Sequence, residues 1–317
     1  LHWRLRDPKA NKKEIKVVNW HAMVRDAAIT HINERGEPVS YLELHTAAIS
    51  ALAKGQAFYA TQSPGDNISH ISLTMEDSLS TNEAFTRFGG SEKSLEVGKW
   101  WLCETSDTNP PLSDRVERAV VNHLLKQPPA TLLEIDTVIC QQFPGLLTPN
   151  AELLHVCLSS YGQQRPTEDG KWYLRPGDLP EIRRNDIEDI SELISRIGKT
   201  LGYHVEGERP MLWRSLDEQV HYAFYIIASA IISDIVFSQE YQPEASLLVL
   251  PGGRANLMAY KLANDSRLKS AIGQGWRFMK FRLARWMGEN PVLNPVAFEE
   301  HISKETLTYE SPQLQLL

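Results

Sequence analysis

The densest concentration of potential chemistry lies between residues 254 and 285. There Arg254, Lys261, Arg267, Lys269, Arg277, Lys280, Arg282 and Arg285 accompany a single acid, Asp265, a local charge of +7 in a chain whose formal net charge is −7. Trp276, Phe278 and Phe281 are interleaved with these cations. The mixture suits a phosphate-facing surface, because guanidinium groups fork to phosphate oxygens and rings stack on bases. Arg254, Lys261, Arg277, Lys280, Arg282 and Arg285 are the expected phosphate contacts, and DNA the expected partner. The competing reading is a solvated, salt-bridged face of an ordinary α/β domain.

Other reactive constellations are sparse. The ten histidines share no HxxxH or HExxH spacing, and no Ser or Cys occupies a nucleophile elbow, so neither a metal nor a cofactor is expected. Gly252-Gly253-Arg254, at a strand-to-helix turn, could seat one phosphate on a helix N-terminus, but lacks the Lys-Ser/Thr pair of a P-loop. Cys103, Cys140 and Cys157 are widely separated, which predicts a reducing, cytoplasmic setting and small buried side chains. No apolar run reaches the roughly 18 residues of a membrane span and no signal-peptide pattern occurs, so no membrane partner is expected. No third of the chain is basic: residues 1–110 carry 12 basic and 14 acidic groups, 111–205 carry 10 and 13, and 206–317 carry 11 and 13. Any nucleic-acid contact must therefore come from local patches.

The elements that must position these groups follow from periodicity and capping. The composition is that of ordinary globular domains, 42% hydrophobic and 23% charged, and 317 residues suffice for two or three of them. Residues 1–19 read as a polar, basic linker or tail, and the chain is expected to be a piece of something longer. Residues 20–110 form a first unit. A helix from Trp20 stops at Gly36-Glu37-Pro38, and Ser40-Tyr-Leu-Glu43 opens a second as a capping box. Residues 62–82 read as a loop or ribbon, 82–88 as a short helix, and Lys99 to Cys103 as a strand. Residues 111–180 form a second unit: a helix from Ser113, a capping box at Thr131-Leu-Leu-Glu134, and a third helix capped by Thr148 with Pro149 at its first position. The strand Lys171-Trp-Tyr-Leu-Arg175 follows. Three helices and a β-ribbon is the winged-helix plan, with Trp172 and Arg175 marking the wing. The first unit repeats its outline. The same plan serves protein–protein contact modules, and the third helix carries no Lys or Arg to read a major groove.

Residues 181–317 give a helix from Asp186, strands near 203–206, 211–213 and 222–230, then the strand Leu247–Leu250, a helix to about Asn264, and a strand from Trp276 to Arg282. This order resembles the core of PD-(D/E)xK nucleases. That resemblance implies a metal held by an acid on one strand and an acid-x-lysine on the next. Asp217 and Glu218 could supply the first acid, but Phe224-Tyr-Ile-Ile-Ala-Ser229 has neither acid nor lysine. A degenerate, binding-only domain is expected, with Asp217-Glu218 a solvated hairpin. Asn109-Pro110-Pro111-Leu112 is similar to the Asn-Pro-Pro-aromatic motif of amino-methyltransferases. Leu112 replaces the ring, and a helix-entry linker is the expected role.

Residues 248–268 (LVLPGGRANLMAYKLANDSRL) and 275–287 (GWRFMKFRLARWM) resemble the C-terminal region of large bacterial DNA methyltransferase-type proteins of restriction or phage-defence systems. The resemblance implies a methyltransferase domain upstream of Leu1, or other defence-system subunits, as partners. It carries over no catalytic residue. The resulting expectation is an α+β chain, tandem winged-helix-like units before a nuclease-like α/β domain with a mixed sheet, acting as a non-catalytic DNA-binding or target-recognition region. The alternatives are a protein–protein scaffold built on the winged helices and a metal-dependent nuclease using Asp217 or Glu218.

Overall fold

The computed structural model describes residues 19–54, 64–81, 84–91, 94–104, 108–126, 129–165 and 170–307. Residues 1–18 of the expected tail lie outside them. The chain is mixed α+β, with twelve helices and ten strands among the described residues. It divides into two compact units, Leu1–Asn33 with Val39–Thr105, and Glu34–Pro38 with Ser106–Leu317.

In the first unit, helices α1 (Trp20–Arg35), α2 (Tyr41–Lys54) and α3 (Pro64–Thr81) precede the antiparallel pair β1 (Phe85–Phe88) and β2 (Lys99–Leu102). The Ser40–Glu43 capping box forms, with Glu43 accepting from the Ser40 amide at 2.8 Å. Two expectations fail here. Residues 64–81 are a helix because Ile71, Met75 and Leu79, four apart, make a fully buried stripe, and tertiary burial outweighs the poor propensity of a Ser/Thr-rich segment. Residues 85–88 are a strand, registered Phe85 to Leu102 and Phe88 to Lys99. Val39, just before α2, bridges Trp100 of the ribbon.

The second unit opens with α4 (Leu112–Lys126), β3 (Ala130–Thr131), α5 (Leu132–Gln142), α6 (Ala151–Tyr161), β4 (Gly162–Gln164) and β5 (Lys171–Leu174), the strands ordered β3-β5-β4 and antiparallel. The capping box at Thr131 and Glu134 is reciprocal. Asn150, not Thr148, caps α6, accepting from the Leu153 amide at 2.8 Å. Thr148 instead donates its hydroxyl to the Phe143 carbonyl. Ala130, just before α5, pairs with Trp172, as Val39 does with Trp100.

Helix α7 (Pro180–Thr200) leads to β6 (His204–Glu206), β7 (Met211–Arg214) and β8 (Val220–Ile226), an antiparallel meander. After the short α8 (Ser233–Ser238) come β9 (Ser246–Leu250), α9 (Ala255–Asn264), α10 (Ser266–Ile272), β10 (Arg277–Lys280), α11 (Phe281–Glu289) and α12 (Pro295–Lys304). The sheet is ordered β10-β9-β8-β7-β6, with β8, β9 and β10 parallel. Its side chains alternate as the pleat requires. Leu212, Ala223, Tyr225, Leu248 and Leu250 join one core with α4, α5, α6 and α9. Trp213, Phe224, Leu247 and Val249 join another with α7, α11 and α12. Residues 111–180 and 181–317, separated in the sequence reading, thus share a core.

Candidate functional site

The expected phosphate contacts do not form one surface. Arg254 and Lys261 are each 1% exposed, so their expected contact with phosphate is corrected: both are internal cations. Arg254 forms an ion pair with Asp178, donates to the Ala228 carbonyl at 3.0 Å and to the Ser160 carbonyl, and lies over the Tyr161 ring. Lys261 donates to Asp114 at 2.5 Å, to Glu117, and to the Ala230 carbonyl at 2.9 Å. Lys280, also buried, meets Glu305 at 3.0 Å and the Thr306 carbonyl at 2.6 Å. Arg277 is bound by Glu299 and the Glu244 carbonyl. Arg285 pairs with Asp186 at 2.8 Å and Arg282 lies 3.9 Å from Glu305, both side chains about half exposed. Arg175 folds back on the C-terminus of α6, donating to Ser159, Ser160 and Gly162 carbonyls. Trp172 packs on the core between sheet and helices.

What the fold assembles instead is a charged seam with a crevice beside it. On α4 the apolar stripe Leu112, Val116, Ala119, Val120 and Leu124 is buried, yet Asp114 and Glu117 are buried too. Glu117 accepts from the Tyr161 hydroxyl, from Lys261 and from the Ala230 amide at 2.9 Å, while Asp114 takes Lys261 and the Ser233 hydroxyl. Buried charges survive only when paired and hydrogen-bonded in this way. Burial acts to lower the Lys261 pKa, but Glu117 and Asp114 outweigh it and hold the ammonium above its ordinary value. Burial, with Glu117 beside it, likewise keeps the Tyr161 phenol protonated as a donor. The seam continues through Asp178, which accepts from Arg254 and, at 2.8 Å, from Arg183. Arg183 in turn reaches Asp186 at 2.6 Å.

Over this seam lies a crevice of about 420 Å³, at the carboxyl ends of the parallel strands β8 and β9 and beside the start of β7. Crevices at carboxyl strand ends are where open α/β sheets place ligands. The Ile227 amide still pairs with Val249, and the chain leaving β9 returns Arg254 to the Ala228 carbonyl. Apolar walls come from Val121, Ile187, Ile226, Ile227 and Ile231. Arg118 on α4 and Arg209 before β7 stand exposed beside it, neither with an acidic partner among the described residues. Asp178 lies on the wall, and its Oδ2, fully buried, finds no hydrogen-bond partner among the described residues.

Asp217 and Glu218 occupy the β7–β8 hairpin turn, where Ser215 closes on Gln219 and Glu218 has a φ of 62°. The Ser215 hydroxyl holds the Asp217 carboxyl below its usual range. Among the described residues no three His, Cys, Asp or Glu are grouped to hold a metal, and no helix is long and apolar enough to cross a membrane. Of the cysteines only Cys157 is buried; Cys103 is exposed and Cys140 half-buried, so the expectation of three buried thiols is corrected.

Sequence reasoning missed Arg118, Arg183, Arg209, Asp114, Glu117 and Asp178. The one local signal was the spacing Asp114, Glu117, Arg118, Val121, a mixed stripe at helical period beside the apolar one. No family model, curated protein or solved structure matches the chain.

Proposed function

We propose that this chain is a non-catalytic DNA-binding region that serves target recognition within a DNA-modification or phage-defence protein. The observation that carries the reading is the corner where β7 begins and β8 ends. In the nuclease core that the order α7-β6-β7-β8-β9-β10 resembles, this corner would hold the metal-binding acids. Here Arg209 and the apolar run from Ile226 to Ala228 occupy it, with Arg118 opposite. Guanidinium groups bind a phosphate without activating water, which is binding in place of hydrolysis.

The ribbon supports the same reading. Helices α4, α5 and α6 with a ribbon ordered β3-β5-β4, β3 lying between α4 and α5, resemble the winged-helix plan, and Arg165 and Lys171 are exposed on that ribbon. Helix α6 would not read a groove. Its inner face is buried, and its exposed side offers Glu152 and His155.

The test is fluorescence anisotropy of a labelled duplex over a salt series, with Arg118→Ala/Arg209→Ala and Arg165→Ala/Lys171→Ala variants. Each lost phosphate contact flattens the slope of log K against log salt by about 0.9, so a double variant should lose about 1.8. A shallow slope unchanged in both variants would remove DNA as the ligand. That outcome favours a protein scaffold, for which the exposed apolar residues Leu132 (47%), Leu133 (74%) and Val138 (38%) on α5 speak.

A further inference from the structure

We infer that the crevice between α4, α7 and the ends of β8 and β9 receives a single unpaired nucleotide, its base inward and its phosphate at the rim. The inference rests on the DNA reading of the same crevice and narrows it.

The first argument is size. A site of about 420 Å³ lies within the range of small-molecule pockets, roughly 300–1,000 Å³. It is a concavity, and a double helix is too wide to enter it, so only a nucleotide extruded from the stack or taken from a single strand fits. The second argument is the order of polarity from rim to floor. Arg118 and Arg209 are exposed guanidinium groups with no acidic partner among the described residues, placed to meet an anion where solvent still reaches. Inward, Val121, Ile187, Ile227 and Ile231 present apolar surface to a flat ring, whose burial is favourable at about 25 cal/mol per Å². On the wall, Asp178 Oδ2 is an acceptor without a donor. An unsatisfied buried carboxylate oxygen is costly, and an N–H from the edge of a base would satisfy it. Asn122 and Ser229 add polar groups to the crevice lining. A ligand anionic at one end, flat and apolar in the middle, and a donor at the other is a nucleoside monophosphate unit, free or within a strand.

The test uses a duplex carrying one 2-aminopurine opposite a mismatch, titrated with the full chain, together with calorimetric titration of dAMP, dCMP, dGMP and dTMP. Extrusion into the crevice should raise 2-aminopurine fluorescence several-fold, and mononucleotides bearing an amino group should bind and compete. Arg209→Ala should weaken both by about tenfold, the scale of a lost charge-assisted hydrogen bond. Ile231→Trp, which fills the crevice, should abolish both the fluorescence rise and mononucleotide binding. Salt-dependent duplex binding with no fluorescence change and no mononucleotide binding overturns the inference and spares the DNA reading. Mononucleotide binding without any DNA binding overturns the DNA reading and the strand as source, leaving the free nucleotide as ligand. No binding of either overturns both.

Discussion

Replacing Lys261 with Met separates an internal cation from a phosphate contact. Lys261 is 1% exposed and its ammonium holds Asp114 and Glu117, themselves 3% and 1% exposed. Removing it leaves two carboxylates buried together with only a hydroxyl, a phenol and an amide for partners. Breaking a buried pair by deleting one member costs about 3–5 kcal/mol. For a unit of this size each kcal/mol lowers Tm by about 2–4 °C, so a fall of about 6–20 °C is expected in thermal unfolding followed by circular dichroism. The loss should depend on pH. Burial already lifts the Asp114 carboxyl above its ordinary value against the pull of Lys261, and without Lys261 it rises further. Acids that hold protons more tightly folded than unfolded stabilise the fold at low pH, and that stability is lost as pH rises past the unfolded value of about 3.9–4.3. The gap between variant and parent should therefore widen from pH 4 to pH 7. Adding Asp114→Asn and Glu117→Gln should recover most of the loss, since an uncharged cluster carries no unpaired ion. A variant within 1 °C of the parent at every pH would refute the seam. Were Lys261 a phosphate contact, the variant would keep its Tm and lose about 0.9 from the salt slope.

Other outcomes follow from the same reasoning. Thr131→Ala removes one half of a reciprocal capping box and should cost about 1 kcal/mol, read as a lower urea midpoint at constant m; an unmoved midpoint would contradict it. Gly198→Ala would set a Cβ 2.5 Å from the Trp213 ring, overpacking worth about 1–3 kcal/mol in the same assay. Burial raises Glu37 above the ordinary carboxylate value of 4.5, against the hydrogen bond from Ser113 and the charge of Arg35. The protonated form is then favoured in the fold, and its contribution fades as pH climbs above 4.5. Glu37→Gln, which keeps an acceptor for the Ser113 amide at 2.7 Å, should flatten that decline, and parallel urea-midpoint curves from pH 4 to 7 would count against it.

Some of this molecule was written locally. The boxes at Ser40–Glu43 and Thr131–Glu134 fix two helix starts, since side chain and amide meet three residues apart. Leu247–Leu250 had to be a strand buried on both faces, as an apolar run too short for a helix and halted by Pro251-Gly252. The Asp217-Glu218 hairpin was legible for the same reason: a polar turn between two strands that pair back on each other. Helix α3 was not, because its buried apolar stripe, Ile71, Met75 and Leu79 among the described residues, is set among serines and threonines.

The sequence by itself determined where cations cluster along the chain; only the tertiary structure decided which of them face water. Lys261 is 144 residues from Glu117, and Arg254 is 76 from Asp178. Long-range packing of α9 against α6 and of α4 on the sheet brings those acids to the cations. Local charge density carries no record of that pairing, because a Coulomb interaction depends on distance in space and on burial, and neither can be counted along a chain. The crevice has the same origin. Arg118, Arg183 and Arg209 stand in three separate segments of ordinary composition, and the ends of β8 and β9 bring them to one place.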